Sequence, residues 1–99
     1  MSKISSQEEF KNFLSSRNGI IFYGASWCGA CRMIKPLYER IARRYGDKIK
    51  MVYMDVKDAD HKFNSIPVLV FYHKGKMVNS VVGPDSETMK HFIKKAMKK

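Results

Sequence analysis

The sequence predicts an α/β fold in which a mixed sheet of four strands carries helices on both faces. Two observations predict it. Amphipathic segments alternate with short, continuous apolar runs, and one crossover through a long helix is followed by a hairpin. The chain has 99 residues, of which 44% are hydrophobic. We therefore expect a single domain over residues 1–99 with one compact core.

The N-terminal third predicts a short helix and then a buried strand, with at most a short fifth strand at Lys3-Ile4 before them. Ser5-Ser6-Gln7-Glu8 has the form of a capping box, and Asn18-Gly19 is typical of a turn that ends such a helix. The apolar face of the helix consists of Phe10, Phe13 and Leu14. Ile20 to Tyr23 is a continuous apolar run, which indicates a strand buried on both faces.

A long amphipathic helix and a second strand come next. The apolar stripe of the helix is Ile34, Leu37, Tyr38, Ile41, Ala42 and Tyr45. The helix should end near Gly46, and the residues from Lys48 to Val56 predict the strand. Asp58 to Ser65 is polar and predicts a loop or one helical turn, which Phe63 anchors.

The last third predicts an antiparallel hairpin and a closing helix. Val68 to Tyr72 and Met77 to Val82 are strand-forming runs, joined by a short polar segment with Gly75 at the turn. Asp85 or Ser86 is expected to cap the helix that follows. The buried face of this helix is Met89, Phe92, Ile93, Ala96 and Met97.

Charge and hydropathy narrow the class of protein. The chain has 19 Lys and Arg against 9 Asp and Glu, and its charge of +10 attracts acidic proteins or nucleic acid without a specific site. Lys94-Lys95 and Lys98-Lys99 are interpreted as a solvated face at a helix C-terminus. Neither a secretory signal nor a membrane-spanning run is recognisable, so we expect a cytoplasmic or other intracellular protein with no membrane partner.

The only two cysteines, Cys28 and Cys31, lie at the junction between the first buried strand and the long helix. Free amides and the positive end of the dipole at a helix N-terminus favour a thiolate over a thiol, so Cys28 should be the more reactive. Arg32 and Lys35 could add to the positive field. Cys31 lies on the same helical face and can reach the sulfur of Cys28. The pair therefore predicts a reversible dithiol/disulfide cycle.

Three alternatives to redox chemistry were considered. A purely structural disulfide across so short a loop would restrict the unfolded chain little. A zinc site would need two of His61, His73 and His91, which show no ligand spacing. The third alternative belongs to another class: a redox-slow or redox-silent basic module that docks an acidic protein or nucleic acid.

The segment from Ala25 to Cys31, with Pro36 five residues later, resembles the active-site segment of thioredoxins. Ile66-Pro67 is similar to the cis-proline loop of that family, Gly75 to its hairpin turn, and Val82-Gly83 to its glycine loop. The similarity runs from about residue 10 to the C-terminus, and it implies a thioredoxin-like fold.

The resemblance implies a thiol–disulfide oxidoreductase that reduces protein disulfides, with Cys28 as the nucleophile and Cys31 as the resolving thiol. It implies no cofactor or metal beyond the Cys28–Cys31 disulfide itself. Disulfide-containing proteins and an upstream reductase or small thiol would be the partners of a monomer, and nucleic acid would bind only non-specifically. The implied substrate groove consists of Trp27, Gly29, Ala30, Ile66, Pro67, Val82 and Gly83.

Three residues depart from the family pattern. Ala30 stands where proline is usual between the cysteines, Phe22 stands where the family buries an acid, and Tyr53 stands where a lysine partner of that acid is common. Because no buried base would then assist Cys31, we expect slow turnover of the mixed disulfide at neutral pH.

Overall fold

A computed structural model of the protein describes residues 2–99 and contains a five-stranded mixed sheet flanked by three helices. The strands are β1 (Ser2–Ile4), β2 (Asn18–Gly24), β3 (Lys50–Asp55), β4 (Val68–His73) and β5 (Lys76–Val82). The helices are α1 (Gln7–Leu14), α2 (Gly29–Tyr45) and α3 (Ser86–Met97). The strand order is β1-β3-β2-β4-β5.

The predicted mixed α/β sheet is confirmed, and the fifth strand that the sequence left open is present. β1 and β2 both run parallel to β3, whereas β4 pairs antiparallel with β2 and β5 antiparallel with β4. β1 has only three residues, of which Ile4 is buried opposite Met54. Within residues 2–99, none of the helices is long and apolar enough to cross a membrane.

Strand β2 separates two apolar layers because its side chains alternate between the faces of the sheet. Ile20 and Phe22 join the layer beneath α2 and α3, and Ile21 and Tyr23 join the layer beneath α1, which includes Phe13. All four of these strand side chains are buried. The continuous apolar run in the sequence is therefore required by helices on both faces.

Two sequence-based boundaries around α1 are wrong. The capping box lies one residue later than predicted: Ser6 is the N-cap, its Oγ accepts a hydrogen bond from the Glu9 amide at 3.1 Å, and the Glu9 carboxylate accepts one from the Ser5 amide at 2.9 Å. Asn18-Gly19 is not a turn but the start of β2, since Asn18 pairs with His73 of β4. The turn consists of residues 15–17.

The hairpin and the last helix agree with the sequence. Lys74 and Gly75 have φ of 53° and 80°, which gives the two-residue turn whose twist matches a β-hairpin. Asp85 caps α3 by accepting a hydrogen bond from the Thr88 amide at 2.8 Å.

β3 is shorter than predicted, because the Asp55 side chain accepts a hydrogen bond from the Lys57 amide and begins a 3-10 turn at Val56–Asp58.

Tyr38 anchors α2 to the sheet. Its side chain is fully buried, and its hydroxyl lies 2.8 Å from the carbonyl oxygen of Val52 in β3 and 3.1 Å from that of Ile20 in β2. A hydroxyl buried without these acceptors would give up its hydrogen bonds to water and gain none in return, which costs about 1–3 kcal/mol. This side chain therefore attaches α2, whose N-terminus carries the two cysteines, to both β2 and β3.

Replacing Tyr38 by Phe should lower the free energy of unfolding by about 1–2 kcal/mol, because the hydrogen bond to the two carbonyls is lost while the ring is kept. Urea unfolding of the reduced protein measures this as a lower midpoint with an unchanged slope. Tyr45→Phe on the same helix is the control, since its hydroxyl has no hydrogen-bond partner among residues 2–99. Equal losses in both variants would contradict the anchoring role.

Candidate active site

The two cysteines lie at the N-terminus of α2, directly after the end of β2. Cys28 is the N-cap of the helix, and its Sγ accepts a hydrogen bond from the amide of Cys31 at 3.2 Å. The same sulfur lies 4.0 Å from the carbonyl oxygen of Ile66. An amide of the first helical turn thus points at this sulfur, and such a donor stabilises negative charge on it.

The two thiols differ in exposure, and burial makes Cys31 a weaker acid than an ordinary cysteine. Both are free, and Cys28 is 8% exposed whereas Cys31 is 2% exposed. Burial, followed by the hydrogen bond with Cys28, raises the pKa of the Cys31 thiol to about 11. Cys28 is therefore the more accessible of the two thiols, and burial keeps Cys31 protonated at neutral pH.

Aromatic rings surround Cys31 on the side where the family resemblance implies an acid. Phe22 is fully buried, and its ring centroid lies 5.5 Å from that of Tyr53. A Cβ built on Gly24 would lie 3.1 Å from the Cys31 sulfur and 2.9 Å from the Phe22 ring. Phe22, Gly24 and Tyr53 therefore form an apolar wall beside the thiol, in agreement with the sequence-based departure from the family pattern.

The ammonium group of Lys35 lies over the ring of Tyr53. The Lys35 Nζ lies 4.0 Å from the ring centroid, a distance at which the ammonium is attracted by the ring face. Burial, followed by the negative charge of the nearby Asp55, raises the pKa of Tyr53 to about 12. The sequence predicts Lys35 only as a source of positive field. Its contact with Tyr53 has no local signal in the sequence, because the fold is what brings this part of α2 next to β3.

The remaining candidate residues border Cys28. The Ile66-Pro67 bond is cis, as the resemblance implied, and the Pro67 carbonyl accepts a hydrogen bond from the Gly83 amide at 2.7 Å. Gly83 has a φ of +56°, a conformation that favours glycine. Two apolar side chains of this region are exposed, Trp27 by 74% and Val82 by 59%.

The first turn of α2 completes the border, since Gly29 and Ala30 are both exposed. Sequence reasoning missed Gly24, which has no space for a side chain beside Cys31. Gly24 could have been recognised, because a glycine at the end of an apolar strand often marks a close approach of another group.

The histidines of the zinc alternative are placed elsewhere. His73 contacts Asn18 at the start of β2, whereas Cys28 follows the end of that strand. His61 packs against Phe63, with ring centroids 4.7 Å apart. Across residues 2–99, no group of three or more His, Cys, Asp or Glu side chains is arranged to hold a metal ion.

Gly24→Ala should lower the free energy of unfolding by about 1–3 kcal/mol, because the new methyl group overlaps the Phe22 ring and presses on Cys31. Gly29→Ala is the matched control: nothing lies within 4 Å of its Cβ, so its stability should stay within about 0.5 kcal/mol or rise. Urea unfolding of both reduced variants measures the difference. A Gly24→Ala protein as stable as Gly29→Ala would refute the close contact.

The attack of Cys31 on a mixed disulfide should accelerate about tenfold per pH unit from about pH 7 to 9. The reason is that its pKa of about 11 lies above this range, so the thiolate fraction grows with pH throughout. Reaction with dithionitrobenzoate measures the step as the second release of thionitrobenzoate, which Cys31→Ser should abolish. A plateau below pH 8 would show that Cys31 is more acidic than its burial implies.

Comparison with known proteins agrees with this geometry. A family model described as Thioredoxin matches residues 1–95. Thioredoxin-2 of Saccharomyces cerevisiae is 33% identical, with 94% of this chain and 95% of the yeast protein aligned. Thioredoxin 1 of Plasmodium falciparum is 31% identical over 93% of each chain.

Solved structures show the same similarity. The crystal structure of Malassezia sympodialis thioredoxin superimposes with a TM-score of 0.88 at 29% identity, over 97% of this chain and 92% of the other. A structure of Plasmodium falciparum thioredoxin gives a TM-score of 0.89 at 27% identity, over 96% and 98%. Sequence, fold and the paired thiols agree, and this chain belongs to the thioredoxin family of protein-disulfide oxidoreductases.

Proposed function

We propose that this protein reduces protein disulfides with Cys28 as the nucleophile and Cys31 as the resolving thiol. The observation that carries the assignment is the unequal setting of the two sulfurs. Cys28 is the more exposed and accepts a hydrogen bond from a helix-terminal amide, whereas Cys31 is almost fully buried and its pKa is raised. The first sulfur suits attack and the second suits release.

In the first step the Cys28 thiolate attacks one sulfur of a substrate disulfide. A bond forms between the Cys28 Sγ and that sulfur, the substrate S–S bond breaks, and the other substrate sulfur leaves as a thiolate that takes up a proton. The Cys31 amide, which holds the Cys28 sulfur at 3.2 Å, keeps the nucleophile at the helix N-terminus during this step.

In the second step Cys31 loses its proton and attacks the Cys28 sulfur. The Cys28–Cys31 bond forms, the mixed disulfide breaks, and the second substrate sulfur leaves and is protonated. The substrate disulfide has gained two electrons and the cysteine pair has lost two. With Phe22 in place of an acid, water or the departing substrate thiolate takes the Cys31 proton, so this step limits turnover at neutral pH.

The loops beside Cys28 form the groove that holds the substrate chain. Pro67 and Gly83 are joined by their backbone hydrogen bond, and the Ile66 carbonyl faces the Cys28 sulfur. An extended peptide laid across these loops would bind through its backbone. Trp27 and Val82 would contact its side chains, and the small Gly29 and Ala30 would leave room for its approach to the sulfur.

The oxidised pair must be reduced again by an upstream dithiol reductase or a small thiol. A compartment with a reduced thiol pool supplies such donors, so an intracellular site of action stays part of the proposal. The Ala30 substitution is expected to move the reduction potential upward relative to relatives with proline, and this potential decides whether reduction or disulfide formation is favoured.

The reduction of insulin by the wild type, Cys28→Ser and Cys31→Ser tests the assignment. We expect Cys28→Ser to lose activity and to form no mixed disulfide, and Cys31→Ser to lose turnover while trapping substrate on Cys28. Equilibration of the pair against dithiothreitol gives its reduction potential in the same preparation. Trapping on Cys31 in the Cys28→Ser protein at a rate equal to that of Cys28 would reverse the roles.

A further inference from the structure

The positive charge of this protein is concentrated at the end of the sheet opposite the cysteines. At this end β2 and β3 begin, β4 turns into β5, and all three helices finish. We call it the basic end. Twelve of the nineteen Lys and Arg lie at this end, in the last turns of the helices, in the connections between elements and at the strand ends. Of the nine acidic residues, only Asp47 lies there.

Helix dipoles explain only part of this concentration. Five of the twelve are in last helical turns, where cations are favoured: Lys11, Arg43, Arg44, Lys94 and Lys95. The other seven are Arg17 and the pairs Lys48/Lys50, Lys74/Lys76 and Lys98/Lys99. The one ion pair found within residues 2–99 joins Lys90 to Glu87, so none of the described cations of the basic end is in a close ion pair.

Backbone contacts hold several of these charges together. The Lys74 amide donates a hydrogen bond to the Arg17 carbonyl at 2.8 Å, and the Asn18 side chain donates one to the Lys99 carbonyl at 3.1 Å. Desolvation, then the charges of Lys74, Arg17 and Lys99, lowers the pKa of His73. These hydrogen bonds therefore hold the turn at Lys74 next to Arg17, and Lys99 next to Asn18.

A cavity of about 180 Å³ opens beside the basic end, between β5 and the C-terminal half of α3. Its floor is apolar and consists of Phe71, Phe92 and Ala96, all of which are buried. Lys95 and Lys99 line it as exposed side chains. The cavity is therefore an apolar depression with two cations at its edge.

A β-bulge places a further apolar side chain at this cavity. Tyr72 pairs with Met77 and Phe71 with Asn79, so Val78 is the extra residue of β5. Val78 lines the cavity and is 49% exposed. Bulges redirect side chains out of the regular alternation of a strand, and here the redirected residue adds apolar surface to the cavity wall.

We propose that the cavity and the part of the basic end beside it, with Lys95 and Lys99, form a docking site for an acidic peptide segment of a partner protein, with one large apolar side chain of that segment in the cavity. The volume suits this occupant, since a cavity of about 150 Å³ lined by apolar side chains holds a benzene ring. Acidic residues on either side of the apolar one would meet Lys95, Lys99 and the charges beyond them. An apolar anchor in a pocket with a charged rim is a usual centre of binding energy.

The apolar floor and the bulge favour a peptide over nucleic acid. The phosphates of duplex DNA are bound through charge, and its paired bases stay stacked inside the helix, so a duplex gains nothing from an apolar cavity. The site also lies at the other end of β2 from Cys28, so a docked segment leaves the thiols free. The proposal therefore stands independently of the roles assigned to the two cysteines.

Fluorescence anisotropy with a labelled peptide carrying one Phe between acidic residues tests the site. Lys95→Glu/Lys99→Glu should weaken binding at least about tenfold, and Lys48→Glu/Lys50→Glu, with the same charge change two strands away, less than about threefold. Val78→Thr should weaken binding by about threefold or more, whereas Met77→Thr, exposed on the same strand but outside this cavity, should not.

Three controls decide the outcome. Replacing the Phe of the peptide by Ala should cost about tenfold in affinity, Cys28→Ser should bind as the wild type does, and both charge variants should keep wild-type insulin reduction. Equal affinity for the Phe and Ala peptides would overturn the proposal. Equal weakening by the two charge variants would also overturn it. So would complete displacement of the peptide by duplex DNA together with an affinity that Val78→Thr does not change. Either result indicates a surface that binds any polyanion.

Discussion

The burial of β2 on both faces is the constraint on which the rest of the structure depends. Its side chains have to be apolar because two layers of helices cover them, and its backbone has to pair with β3 on one side and β4 on the other. The strand then ends at Gly24, where the chain turns into α2 and the two cysteines follow. A strand so thoroughly enclosed cannot shift its register, so the sulfur positions are fixed by the centre of the molecule.

The same burial affects the chemistry of Cys31. An ionised carboxylate at the position of Phe22 would be enclosed by apolar side chains and would need a positively charged partner. Tyr53 carries no positive charge and cannot be that partner. The aromatic pair avoids that cost, and the ammonium group of Lys35 lies over the ring of Tyr53. Stability of the core and ease of deprotonating Cys31 are therefore opposed at this one position.

Most of the architecture could be predicted from the sequence because apolar periodicity and capping signals are local. Neighbouring residues alone predict the apolar stripe of α2, the hairpin turn at Gly75 and the cap at Asp85. The turn predicted at Asn18-Gly19 is wrong because these residues are also compatible with a strand when a distant partner, here His73, supplies the pairing.

Within the site, the positions of the cysteines and of the Ile66-Pro67 loop followed from spacing and resemblance. The contact of Gly24 with Cys31 and the seat of Lys35 on Tyr53 did not. These contacts join residues from β2, β3 and α2 whose separation along the chain carries no local signal. The concentration of charge at one end of the sheet was hidden for the same reason, since its members are scattered through the sequence and meet only in the fold.

The bulge at Val78 also affects how separate molecules meet. β5 is an edge strand, and a regular edge offers unpaired amides and carbonyls to a strand of another chain. The bulge interrupts that row, Lys76 places a charge at its start, and the opposite edge is only the three residues of β1. Neither edge is a good template for intermolecular strand pairing, so the fold resists edge-to-edge aggregation even when the protein is crowded.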